Sequence, residues 1–183
     1  MRMRGPIHLY SCVDAEAHAP RLVLVGAPDA DNPAVAEQLD AIAEAHRSVD
    51  GPGFAPVSDR GRVGCVEYLA LESGGAIDLE QLVQWLSKLG EKMPHAAAMV
   101  LADALLESLH AAHETTGPDG QPYTMGALCF DNVVMGPDGG IDLLGLGYNF
   151  PVKVGAFGRG FSQAPEMLIQ KQGTPAADVW AIF

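Results

Sequence analysis

The chain has 183 residues, 48% of them hydrophobic and 19% charged, which is typical of a folded domain rather than a disordered segment. Its 23 acidic and 11 basic side chains give a formal net charge of −12, which disfavours binding to nucleic acid or to an anionic membrane. Three widely spaced cysteines without a CxxC pair exclude a disulfide framework and a zinc site of that type. With no apolar run long enough to span a membrane, the composition predicts a cytoplasmic domain.

The first third of the chain is predicted to be rich in strands. Short apolar runs indicate strands over 7–13 and 22–25. Apolar residues at helical spacing, preceded by an Asn-Pro start, predict a helix over 33–46. Val57 and the run 63–71 predict two further strands after a Gly/Pro-rich loop.

The rest of the chain is predicted to be mainly helical. A capping-box pattern at Asp78 begins a helix that ends at Gly90, and a second helix follows over about 95–113. A compact pair of strands over 132–144 encloses a Gly-Pro-Asp-Gly turn, and a last helix begins near Ala176. Strands first and helices later predict an α+β fold in two lobes.

Five short motifs follow one another along the chain: Val66-Glu67-Tyr68-Leu69, Ala111-Ala112-His113-Glu114, Asp131-Asn132-Val133-Val134, Ala164-Pro165-Glu166 and Asp178-Val179-Trp180. In this order they resemble the hinge, the helix before the catalytic loop, the end of that loop, the end of the activation segment and the following helix of the eukaryotic-like Ser/Thr protein kinases of bacteria. The resemblance implies a β-rich N-lobe over 1–66 with a helix near 33–46. It also implies a hinge at 67–72 and a truncated helical C-lobe over 73–183.

The resemblance implies that the groups a kinase needs for phosphoryl transfer are absent. The strand that would end in the phosphate-binding lysine ends in Gly26. Ala127 stands at the position of the proton-accepting aspartate, and Gly145 at the position of the metal-binding aspartate. Asn132 remains as a vestigial metal position, but one neutral oxygen is too little to hold magnesium.

The same resemblance implies that structural positions are kept. Met125 and Leu146 keep apolar bulk at two positions of the internal hydrophobic spine. Asp178 is expected to accept hydrogen bonds from the backbone of the catalytic loop. Glu37 falls at the lysine-pairing position, but without the lysine we expect a solvated carboxylate on the helix surface. Three further structural positions lie at the end of the activation segment, namely Ala164, Pro165 and Glu166.

The cleft of such a domain is expected to bind ATP weakly or not at all, so we expect no cofactor. Backbone groups at Glu67 and Leu69 are the candidate hinge contacts for adenine. Leu24 replaces a small residue of the family and is expected to fill the pocket with apolar packing between the lobes. Asp142, three residues before the lost metal ligand, is interpreted as a surface residue.

These features predict a catalytically inactive kinase-like domain, a pseudokinase, that serves as a protein-binding, scaffolding or regulatory module in signalling. Two alternatives stay open: a metal-independent nucleotide sensor, and a divergent transferase or hydrolase that uses Cys129, His8 and Asn132 in the same cleft. The expected partner is another protein, either an active kinase or the remainder of a larger chain. The resemblance implies further helices beyond Phe183, so the chain is either a fragment or is completed by a partner or a second copy in a homo-oligomer.

Overall fold

A five-stranded antiparallel sheet opens the chain in the computed structural model, which describes residues 2–4, 7–26, 33–73, 77–126, 128–136, 138–146, 164–165 and 173–182. The strands are β1 (Arg2–Arg4), β2 (Ile7–Val13), β3 (Pro20–Gly26), β4 (Val57–Val63) and β5 (Val66–Leu71), and they lie in the order β1-β2-β3-β5-β4. The predicted strands over 7–13 and 22–25 are confirmed. The short strand β1 and most of β4 were not predicted, since neither carries a run of apolar residues.

Helix α1 (Pro33–Ser48) packs on one face of this sheet. Its apolar residues recur at helical spacing, so Val35, Leu39 and Ile42 are buried on a single side of the helix. They join the alternate residues of β3 and β5 that face the helix, such as Leu22 and Leu69, in one apolar cluster. The helix predicted over 33–46 is therefore confirmed and extends two residues further.

The predicted hinge at 67–72 is wrong for residues 67–71, because these residues belong to β5. That strand pairs with β3 on one side and with β4 on the other, joined to β4 by a turn at Gly64-Cys65. The motif beginning at Val66 is therefore the second strand of a hairpin, and the chain leaves the sheet only after Leu71. Residues 74–76 lie outside the described residues.

The second part of the chain combines helices with a small sheet. Its elements are β6 (Ile77–Asp78), α2 (Leu79–Lys88), α3 (His95–Glu114), a 3₁₀ turn (Phe130–Asn132), β7 (Val133–Met135), β8 (Ile141–Leu143) and α4 (Pro175–Trp180), with the strands in the order β6-β7-β8. Helix α2 begins as expected, because the Asp78 carboxylate accepts a 2.8 Å hydrogen bond from the Gln81 amide. Gly90, at φ +70, follows its last turn.

The loop over 49–56 joins the two parts, because its backbone lies against α3 and β8. A Cβ atom added at Gly51 would lie 2.4 Å from the Ala111 Cβ, so only glycine allows this approach. The Gly53 carbonyl accepts a 2.7 Å hydrogen bond from the Leu143 amide. Phe54, at the end of this stretch, is buried in the apolar cluster of the second part.

Within the part of the chain that the structure describes, no helix is both long enough and apolar enough to cross a membrane.

Candidate functional site

The site is expected between the two sheets. Its first candidate residue in chain order is Gly26, the last residue of β3. A Cβ atom built on Gly26 would lie 2.9 Å from Cγ1 of Val35 and 3.5 Å from the carbonyl oxygen of Glu67. A distance below 3.0 Å is closer than real Cβ contacts, so a side chain at Gly26 would require the Val35 side chain to shift. At the strand position that the resemblance gives to the phosphate-binding lysine, the Val35 side chain of α1 therefore lies directly against the backbone.

Glu37 does not face this position. It is exposed on α1, whereas Val35, two residues earlier, faces Gly26. Two residues correspond to about 200° around a helix, so Val35 and Glu37 point to opposite sides. Glu37 therefore lies on the exposed side of α1 and does not face Gly26.

Leu24 fills the region beneath β3 with apolar bulk. Only 3% of Leu24 is exposed, and it belongs to the cluster built by α1 and the large sheet. That cluster also contains Val134 of β7 and Leu144, which follows β8. The apolar core is thus continuous from the first sheet to the second at this point, as expected for a leucine that packs between the lobes.

The two candidate hinge residues, Glu67 and Leu69, lie inside strand β5 rather than in a linker. Leu69 is fully buried, and it pairs with Leu24 in β3 and with Arg60 in β4. The Glu67 carboxylate accepts a 2.6 Å hydrogen bond from the Arg60 guanidinium. Both residues therefore belong to a paired strand, which the hinge interpretation took for a linker.

The loop that precedes the 3₁₀ turn is held by Asp178 of α4. This carboxylate is 1% exposed, and its two oxygens accept hydrogen bonds from the amides of Met125 (2.8 Å) and Gly126 (2.9 Å). The Nε2 atom of His113 lies 3.1 Å from Oδ2 of the same carboxylate. The structure therefore shows the contact that the resemblance implies for Asp178. Ala127 lies outside the described residues.

Apolar positions of the site are buried together. Met125 and Leu146 are 1% and 0% exposed and belong to the same cluster as Leu109 of α3 and Val133 of β7. The residues implied at the end of the activation segment fall at the edge of the described chain. Ala164 is buried and Pro165 is exposed, whereas Glu166 and residues 147–163 lie outside the described residues.

Asn132 and Cys129 are tied to each other and to a neighbouring carboxylate. The side-chain oxygen of Asn132 accepts a 2.9 Å hydrogen bond from the Cys129 amide, so this oxygen already has a protein donor. The Cys129 thiol donates to Oδ1 of the buried Asp131 at 2.6 Å. His8, the third residue of the enzyme alternative, stacks on Tyr10 in β2.

Asp142 is not the surface residue that its strand position predicted. It is half-buried in β8, and its Oδ2 accepts a 2.5 Å hydrogen bond from the Ser73 hydroxyl just beyond β5. Burial raises the pKa of this carboxyl above its ordinary value, while the Ser73 hydrogen bond acts in the opposite direction. Sequence analysis missed the contact because 69 residues separate the two partners.

Magnesium does not fit the residues that the structure describes at this site. Gly145, at φ +85, offers no carboxylate where the resemblance places a metal ligand. Among the described residues, no group of three or more His, Cys, Asp and Glu side chains is arranged to hold a metal ion. The remaining Asn132 oxygen is neutral and already hydrogen-bonded, whereas magnesium is usually held through one or two carboxylates.

No family model and no curated protein matches the sequence. Among solved structures, two crystal structures of the Mycobacterium tuberculosis PknI kinase domain are similar to the chain, each with a TM-score of 0.68 and with 18% and 19% sequence identity. The chain has a protein-kinase-like fold. The similarity covers all of this chain and 67% or 66% of the PknI chains, so the chain spans about two thirds of that domain's length. The expected α+β kinase-like fold is thereby confirmed. At a sequence identity of 18–19%, the similarity shows the fold and not the function.

Proposed function

We propose that this kinase-like domain is catalytically inactive and acts in signalling by binding another protein. The observation that carries the proposal is the packing at Gly26, the strand position that the resemblance gives to the lysine, where a Cβ atom would lie 2.9 Å from Cγ1 of Val35. Phosphoryl transfer depends on positioning and on neutralising the charge of the phosphates. A cleft without that cation, in a chain of net charge −12, is poorly suited to ATP.

The metal side of the cleft supports the same proposal. Gly145 supplies no carboxylate, and the Asn132 side-chain oxygen accepts a hydrogen bond from the Cys129 amide. Magnesium bound at these residues would lack an anionic ligand. The buried Asp178, in contrast, accepts hydrogen bonds from Met125 and Gly126, so the loop is supported although Ala127 stands at the position of the proton-accepting aspartate.

A role in protein binding is supported by apolar side chains on the surface of two helices. Trp85 of α2 and Leu89, which directly follows α2, are 60% and 74% exposed, and Val100 of α3 is 71% exposed. Exposed apolar surface marks an interaction site where it is contiguous, so we take these side chains as the candidate contacts for a partner. The partner we propose is an active kinase, a further part of a longer chain, or a second copy of this domain.

A thermal-shift titration with millimolar ATP, with and without magnesium or manganese, tests the proposal. We expect no shift in either condition. A ligand at ten times its dissociation constant would add about 1.4 kcal/mol, or roughly 3–6 °C for a chain of this length. A shift without metal would instead support the nucleotide-sensing alternative.

A shift that requires metal would contradict the proposal, and the Asn132→Ala variant then shows whether the metal binds at this site. Leu24→Ala is the matched variant that tests whether apolar packing, rather than missing charge, keeps nucleotide out of the cleft. It removes apolar bulk between the sheets but leaves Gly26 and Gly145 unchanged, so we expect it to lower stability without creating ATP binding. If Leu24→Ala binds ATP, the leucine rather than the missing charges keeps nucleotide out.

A further inference from the structure

Arg60 occupies an unusual position, on the helix-facing side of the edge strand β4. The register of β4 shifts between Val57 and Asp59, so that Val57 pairs with Leu71 and Arg60 pairs with Leu69. Leu69 and Leu71 face the same side of the sheet, towards α1. The irregularity therefore places Arg60 on the inner face, where strict alternation from Val57 would have placed Asp59.

The guanidinium of Arg60 connects β4, β5 and α1. Its Nη1 atom donates to the Glu67 carboxylate at 2.6 Å and to the carbonyls of Gly61 and Tyr68 at 2.8 and 3.2 Å. Its Nε atom donates to the Asp40 carboxylate at 2.8 Å, and its Nη2 atom to the Ala36 carbonyl at 3.2 Å. Every nitrogen of the group is engaged, and only 13% of the side chain is exposed.

Two of these bonds hold the first half of α1 against the sheet. Ala36 and Asp40 are one turn apart, so Arg60 contacts the helix along one side. On its inner side, Val35 of the same helix segment lies against the backbone at Gly26, with no side chain between them. Helix α1 is thus held from two directions. The hydrogen bonds of Arg60 hold it at the sheet edge, and the packing of Val35 on Gly26 holds it at the sheet centre.

We propose that Arg60 locks α1 in a single position, so that the helix does not move in response to a ligand in the cleft. The resemblance places the corresponding tie inside the cleft, between a lysine and a glutamate of the helix. Here the tie comes from the edge strand β4 and involves neither Gly26 nor Glu37. The inference goes beyond the proposed function and does not depend on the partner.

Hydrogen exchange of the α1 amides, measured by mass spectrometry without any ligand, tests the lock. In Arg60→Met we expect the amides over 34–41 to exchange about tenfold faster, as for the loss of a charged hydrogen bond, with α3 unchanged. Arg62→Met is the matched control, because Arg62 lies on the same strand and 3.6 Å from Glu67. We expect the control to leave α1 exchange unchanged. Equal exchange in Arg60→Met and wild type, or equal acceleration in both variants, would overturn the proposal.

Asp40→Ala keeps the test decisive if Arg60→Met does not fold. Asp40 is 65% exposed, and its removal leaves the Arg60–Glu67 pair in place. We expect about fivefold faster exchange, confined to the first half of α1, and unchanged exchange would refute the lock. In a separate arm, millimolar ATP with magnesium is added to the wild type. A change in α1 exchange in that arm would also refute the lock, whereas ATP binding seen by thermal shift without such a change would contradict only the proposed function.

Discussion

Replacing Gly53 by alanine tests how closely the loop over 49–56 is packed on α3. Gly53 has φ +79, and a Cβ atom there would lie 2.0 Å from Oγ and 2.7 Å from Cβ of Ser108. Ser108 is 1% exposed, and its hydroxyl donates a 2.8 Å hydrogen bond to the Ala104 carbonyl. The serine can neither swing into solvent nor rotate without losing that bond.

Three costs therefore combine in Gly53→Ala. The left-handed backbone costs a residue with a side chain about 1–2 kcal/mol. Overpacking of a buried contact costs about 1–3 kcal/mol, and a buried hydroxyl that loses its partner costs about 1–3 kcal/mol. We expect a loss of about 3–8 kcal/mol in the free energy of unfolding, which is a large part of the total for a domain.

The measurement is urea unfolding followed by far-ultraviolet circular dichroism. Gly64→Ala is the matched control, because Gly64 has φ +63 but has no atom within 4 Å of its Cβ position. The control should therefore lose only the backbone cost of about 1–2 kcal/mol. In the double variant Gly53→Ala/Ser108→Ala, removal of the hydroxyl should recover about 1–3 kcal/mol. Equal losses in the two alanine variants, or strict additivity in the double variant, would refute the proposed packing.

Two further predictions concern buried polar groups. Asp178→Ala should lower the free energy of unfolding by about 3–5 kcal/mol, because the Met125 and Gly126 amides lose their buried acceptors. Urea unfolding measures this loss, and Asp178→Asn should lose less stability than Asp178→Ala. A loss below about 1 kcal/mol in Asp178→Ala would contradict the role of Asp178. Burial lowers the pKa of His46 below its ordinary 6.5. Below about pH 6.5 the unfolded chain therefore binds a proton at His46 more readily than the folded chain does. The free energy of unfolding should fall as the pH drops below that value. His46→Gln should remove that part of the pH dependence between pH 8 and 5, and identical pH profiles for the two proteins would contradict it.

Local patterns were sufficient to predict most of the helices and several strands. The helical spacing of Val35, Leu39 and Ile42 predicted α1, and the Asp78 cap predicted the start of α2, because these signals depend on residues only a few positions apart. The ordered motifs also implied the contact between Asp178 and the loop at Met125. A kinase-like α+β fold could therefore be predicted from the sequence.

Contacts between distant segments required the tertiary structure. Periodicity could not show that Val35 rather than Glu37 faces Gly26, because that depends on the rotation of α1 relative to β3. The β4 irregularity that turns Arg60 towards the helix has no apolar signature, and strict alternation predicts the opposite face. The sequence by itself determined which residues lie in most of the helices and strands. How those elements meet, and hence which groups reach the cleft, was decided by strand register and helix rotation, which are properties of the packed molecule.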